Sequence, residues 1–398
     1  MAVAVPLAMR RDAATWYGYL LLGFFTFLLN IQGNILPFLQ RELAIGYGTA
    51  ALHSSAIAVG MIVTGLSGER VISRLGQGRS LALGGLGAAL GALLLCLAPA
   101  AWMSIGACFI LGLAGSLIPS VVPAMLADIH RQHRDRALAE LAAVCYAFAV
   151  TAPLATGASL ALGLGWRGAV LWGILAGLLV LGIGRRAAVP DLPPAPTAAG
   201  RLPAAYWAYW CLLVLVVAIE FCMLLWAPTY LERVVGLAPA TAASTAAVFA
   251  LAMLVGRLAG SALVGRLPAA TLYAGSLVVT LLGFALYWAG GSPQIAMPGF
   301  AAPGLAVVGL AVVGLGVALL YPLSLGLALE AAGPLGSAAS ARFMFAVGLA
   351  ILTAPFLLGA VADRVGLQAA HLVIPVLAVI ALLGLAAARA LERRAPSR

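Results

Sequence analysis

Twelve stretches of about 18 or more apolar residues follow one another along this chain, and they leave little choice of fold. They run 16–39, 49–67, 81–99, 102–126, 138–161, 166–184, 206–230, 241–264, 269–290, 304–328, 338–361 and 367–389. Each is long enough to cross the hydrocarbon core of a bilayer as a helix. No water there serves the backbone amides, so each segment must bond within itself, as a helix does. With 64% of residues hydrophobic and 9% charged, the chain has more apolar surface than a soluble core can hide. A disordered chain would be far more polar. Its 46 Gly and 22 Pro would weaken soluble helices but are common where membrane helices pack closely. The expected fold class is an all-α polytopic membrane protein with twelve transmembrane helices.

Charge sets the expected topology. Every basic residue is Arg. With a cytoplasmic N-terminus, eighteen Arg fall on the inner side, Arg257 counted among them, against four outside: Arg41, Arg167, Arg233 and Arg364. The positive-inside rule then places both termini in the cytoplasm of a plasma (inner) membrane protein. The excess of +10 is accounted for by topology, and nucleic acid need not be invoked. The opening MAVAVPLAMRRDAAT lacks the short apolar region and cleavage site of a signal peptide.

The chain also repeats itself. Residues 49–75 align without gaps to 241–267 at an offset of 192, matching Thr49/Thr241, Met61/Met253, Gly68/Gly260 and Arg74/Arg266. Further on the offset becomes 202, with Gly112/Gly314, Asp128/Glu330, TAP 151–153 with TAP 353–355, and Gly157/Gly359. The extra residues fall in the loop 290–304, read as an insertion. Two pseudo-symmetric six-helix bundles are expected, 1–184 and 206–398, joined by a Pro-rich cytoplasmic linker, 185–205. Parallel halves of this kind are a transporter architecture, with the substrate between them near the midplane.

The six-plus-six plan resembles the major facilitator superfamily, and so do three local stretches. ERVISRLGQGR (69–79) is similar to its loop pattern G-x-x-x-D-R-x-G-R, with Arg74 and Gly76 matching but Ser73 at the Asp and Glu69 at the first Gly. APLATG (152–157) resembles the G-P-x-x-G-G motif of the fifth helix, and GWR (165–167) opens the sixth as it often does there. Cys108 stands where many proton-coupled exporters of the family carry an Arg. In the family the loop Asp helps to clamp the cytoplasmic side, so Ser73 implies a clamp made otherwise. Glu140 and Arg342, at equivalent positions one turn inside the fifth and eleventh helices, are candidate gating residues, with interfacial snorkelling as the alternative. Arg74 and Arg266 beside helix ends are expected to serve terminal carbonyls and partner charges.

Glu220 is the one carboxylate deep in an expected helix, 14 residues from one end of 206–230 and 10 from the other. A charge near the bilayer centre costs at least about 2.5–3.5 kcal/mol, so it should face a cavity. It can act as proton carrier or as counter-ion to a cationic substrate, or in turn as both. It can also be a structural acid bonded to a neighbouring helix. Asn30 and Asn34 share a face of the first helix, with Gln32 angled away, and are candidate cavity-lining residues. Tyr146, Trp226, Phe249 and Tyr321 are candidate aromatic walls. Neither His nor Cys has metal-ligand spacing, and no metal or cofactor is expected. Without Lys there is no Walker A loop, and neither G-x-S-x-G nor H-E-x-x-H occurs.

These features point to a secondary transporter and not an enzyme, working by alternating access on a small molecule and protons as a lipid-embedded monomer. One deep acid without a deep base favours proton-coupled export of a hydrophobic or cationic compound. Proton-coupled uptake of a small metabolite is the alternative. A membrane-embedded transferase would need a polar cluster at one face, and DIHRQHRDR (128–136) is the one stretch of that kind.

Overall fold

The computed structural model describes residues 11–185, 187, 189, 190, 201–263, 266–292, 302–335, 339 and 342–394. Most of the Pro-rich linker and of the 290–304 insertion lies outside the described residues.

Among the described residues, twelve helices are long and apolar enough to span a membrane. In chain order they are α1 (Ala13–Leu43), α2 (Tyr47–Leu75), α3 (Gln77–Leu97), α4 (Ala101–Ile129), α5 (Arg131–Ala161) and α6 (Gly165–Gly184) in the first bundle. The second holds α7 (Ala204–Arg233), α8 (Pro239–Gly260), α9 (Ala269–Ala289), α10 (Ala302–Ala332), α11 (Phe343–Val365) and α12 (Leu367–Glu392). The spans overlap the twelve apolar stretches, and this is an integral membrane protein. Short connections make successive helices antiparallel, so one face carries both ends of the described chain. We call it the terminal face, and its opposite the far face.

The internal repeat is visible in the helix breaks. α4 is interrupted at Ser116 and α10 at Ala318–Leu319, a matched register at the offset of 202. Pro153 inside α5 and Pro355 inside α11 match at the same offset. Proline removes a backbone donor and bends a helix, so both bundles bend at equivalent places.

The bundles meet at the far face. Gly33 of α1 lies so close to α7 that a β-carbon there would run into the carbonyl oxygens of Leu224 and Leu225. Gly157 of α5 packs against Ala240 and Ser244 of α8 in the same way, and Gly359 of α11 against Tyr47 of α2. Small residues allow this approach of backbones, which is how membrane helices gain contact without a hydrophobic drive. An Arg41–Glu232 ion pair ties α1 to α7. Ser55 Oγ donates to Leu352 O at 2.8 Å, and Arg233 lies over the Tyr47 ring at 5.3 Å. Among the described residues, the main contacts between bundles join α1 to α7, α2 to α11 and α5 to α8. Among the described residues, the terminal-face halves of α4 and α10 make no comparable junction.

Asp363 is the polar centre of this junction. Its carboxylate accepts from the backbone N–H groups of Tyr47 (2.7 Å) and Gly48 (2.8 Å), the free amides at the start of α2. Negative charge is stabilised there by the helix dipole. The segment Gly359–Gly366 carries G-x-x-x-D-R-x-G with Gly359, Asp363, Arg364 and Gly366 all matching. A stretch of the same form, with its Asp in place, thus stands in the second bundle, on the opposite face. Gly366 adopts φ 85°, which favours glycine, and turns the chain from α11 into α12. Asp363→Asn keeps the shape and removes the charge, at about 1–2 kcal/mol. We expect it to raise thiol labelling of the central cavity from the far face by about tenfold. Unchanged labelling would make the contact incidental to closure.

Candidate functional site

Between the bundles lies a cavity of about 430 Å³, lined from α1, α2, α5, α7, α8, α10 and α11. Its wall is chiefly apolar, with Leu22, Leu29, Ile57, Leu224, Met253 and Ile351 prominent. Into this wall are set Thr26, Asn30, Gln32, Ser54, Tyr146, Glu220, Arg257 and Tyr321. A mostly apolar pocket with a few convergent polar groups is the usual form of a small-molecule site.

Glu220 lies at mid-length of α7 and is half-buried. Arg257 reaches the same cavity from α8, also half-buried, with its guanidinium over the Tyr146 ring at 4.6 Å. That stacking is worth about 0.5–2 kcal/mol. The two charges share a cavity but, among the described residues, form no ion pair within 4.0 Å. Arg257 Nε is buried and has no hydrogen-bond partner. A charged donor left in this condition costs about 1–3 kcal/mol or more. The cavity therefore holds an acid and a base, each open to a ligand.

The other expected lining residues divide. Asn30 lines the cavity and donates to Thr26 O at 2.9 Å, so its amide oxygen is left over. Gln32, expected to angle away from Asn30, also lines it, and its Oε1 accepts from Cys108 Sγ at 3.8 Å. Asn34 and Phe249 border a separate, water-sized pocket of about 10 Å³ that shares Asn30 with the main one. Trp226 does not face the cavity. It is fully buried, donates from Nε1 to Pro355 O at 3.1 Å, and packs edge-on against Tyr47 at 5.7 Å. At about 100° per residue it lies roughly 240° around α7 from Glu220, which turns it to α2 and α11.

Among the described residues, Glu140 and Arg342 do not pair with each other. Glu140 pairs within its own bundle, with Arg11 at 2.6 Å and Arg136 at 3.1 Å, and Tyr19 OH adds a donor at 3.3 Å. Arg342 sits at the start of α11, where its carbonyl accepts from Trp210 Nε1 at 3.0 Å. Arg74 and Arg266 are exposed and, among the described residues, reach no carbonyl or carboxylate. Glu140→Gln is expected to cost no more than about 1 kcal/mol, as partly exposed pairs do. It should leave cavity labelling from the terminal face unchanged, and a marked increase would restore Glu140 to the gate.

Arg257 is the residue that sequence reasoning missed. Its place late in the stretch 241–264 assigns it to the inner side on charge alone. The signal was present in one charge embedded in ALAMLVGRLAGSAL, but which way α8 turns it is a tertiary property. The deep acid is thus accompanied by a deep base, contrary to the expectation from sequence.

The chain matches the Major Facilitator Superfamily over residues 16–340. It belongs to that family. Its fold is similar to that of the nucleoside transporter NupG, with a TM-score of 0.77 at 12% identity over 95% of this chain and 100% of that one. A D-xylose-proton symporter gives 0.73 at 15% identity, covering 94% and 96%. A bacterial homologue of the human lysosomal transporter Spinster, solved inward-facing and unoccupied, gives 0.72 at 15% identity, covering 98% and 100%. At these identities the likeness shows the fold. No curated protein matches the chain.

Proposed function

We infer that this chain is a secondary active transporter, not an enzyme, that moves a small molecule by alternating access with Glu220 as its proton-coupling group. The observation that carries this reading is one central cavity between two bundles, closed at the far face and holding a membrane-embedded acid. The bodies that rock about it are residues 1–184 and 206–398, with 185–205 as the tether. With both termini cytoplasmic in a plasma membrane, as the Arg distribution has it, the closed far face is the outer one. Family membership and a proton symporter among the fold relatives agree with coupling to protons.

An acid without a base would favour export of a hydrophobic or cationic compound. Arg257 takes that ground away, so proton-coupled uptake of a small metabolite stands beside export. A transferase would present a lateral cleft beside 128–136, whereas the polar groups converge between the bundles. The test is a panel of small solutes read by thermal shift of purified protein at two pH values. A solute at a hundred times its Kd stabilises the fold by about 2.7 kcal/mol. At least one solute should do so with a pH dependence that Glu220→Gln removes. Stabilisation with no pH dependence would end the proton-coupled reading.

A further inference from the structure

We propose that the cavity takes a small amphoteric solute with an apolar body, its carboxylate on Arg257 and its ammonium group on Glu220. This rests on the transport reading of the same cavity. The first observation is that an acid and a base line one cavity without a direct ion pair within 4.0 Å. Charges withdrawn from water are normally paired, because an unpaired one loses its hydration without compensation. The second observation is the unpartnered Nε of Arg257. Tyr146 covers a face of the guanidinium, so its edge is what remains for a ligand. That edge is a planar fork of donors that matches a carboxylate.

The charge count selects against simpler ligands. A monoanion on Arg257 brings a second negative charge into the cavity of Glu220. A monocation on Glu220 is repelled by Arg257. A zwitterion satisfies both groups and leaves no net charge. Asn30 strengthens the acidic end, since one of its two N–H groups is used on Thr26 and its oxygen can accept from an ammonium group. Leu22, Leu29, Leu224, Met253 and Ile351 then contact an aliphatic or aromatic body. The ionisable groups of the cavity are Glu220, Arg257, Tyr146, Tyr321 and Cys145. Of these Glu220 is the one whose protonation removes the partner of the ammonium group.

Matched probes separate the possibilities. Leucine, 3-methylbutylamine and 4-methylpentanoate share one hydrocarbon body as zwitterion, cation and anion. Phenylalanine, phenethylamine and 3-phenylpropanoate do so at a larger size. Binding to the full-length protein in detergent is measured by calorimetry near neutral pH. In at least one set the zwitterion should bind about 10- to 100-fold more tightly than both relatives. Arg257→Gln and Glu220→Gln should each remove most of that margin. Arg257→Lys, which keeps the charge, should restore part of it and controls for folding. No zwitterion binding, or equal binding of a mono-charged relative, would overturn the proposal. Zwitterion binding without exchange in reconstituted vesicles would leave this ligand assignment and remove the transport reading. Exchange of an amine or carboxylate indifferent to Arg257→Gln would do the reverse.

Discussion

In reconstituted vesicles, Glu220→Gln should abolish solute accumulation driven by an imposed pH gradient. At saturating solute, exchange of solute for solute should persist. Gln has nearly the shape of a protonated Glu and cannot release a proton. Glu220 makes no hydrogen bond to another protein group among the described residues, so the substitution strands no partner and the fold should survive. What is lost is the exchange of one occupant for another. A carboxyl group in the cavity can hold a proton while facing one side and surrender it to a ligand on the other. Without that step the two fluxes are independent, and a gradient of one cannot raise the other. Accumulation that survives in Glu220→Gln would leave the residue a structural acid.

The second large effect is expected at Gly33. Gly33→Val places a β-carbon against the backbone oxygens of Leu224 and Leu225, which cannot swing aside as a side chain can. Overpacking of a close contact typically costs about 1–3 kcal/mol, and here the cost falls on one conformation. The far face could close only by spreading α1 from α7, which would also strain the Arg41–Glu232 pair. The variant should fold with its far face open, label readily from that side, and lose transport in both modes. Normal transport by Gly33→Val would show that close approach of α1 and α7 is not needed for closure.

The sequence made the helices legible because a bilayer-spanning run has a fixed length and composition. The stretch 206–230 is α7, Ala204–Arg233, and 102–126 is α4, Ala101–Ile129. The repeat was legible too, and it reappears in matched breaks at Ser116 and Ala318. Within the site, Glu220 and Asn30 face the cavity for a reason readable beforehand, since a polar group in an apolar run needs a polar surrounding. Trp226 was not readable, because an aromatic ring is at home facing a cavity or another helix. Nor was Arg257, whose long stem lets one charge serve the membrane edge or the cavity according to how α8 is turned. Asp363 lay in plain view as a loop motif, but its partner amides at Tyr47 and Gly48 are 316 and 315 residues away.

The most direct measurement uses Cys145, which lines the cavity from α5. Cys96, Cys108, Cys211 and Cys222 are replaced by Ala, and a membrane-impermeant thiol reagent is applied to oriented vesicles from one face or the other across a range of pH. The expected result is labelling from either face, with the balance moving with pH in the parent protein and fixed in Glu220→Gln. Labelling from a single face at every pH would contradict alternating access about this cavity.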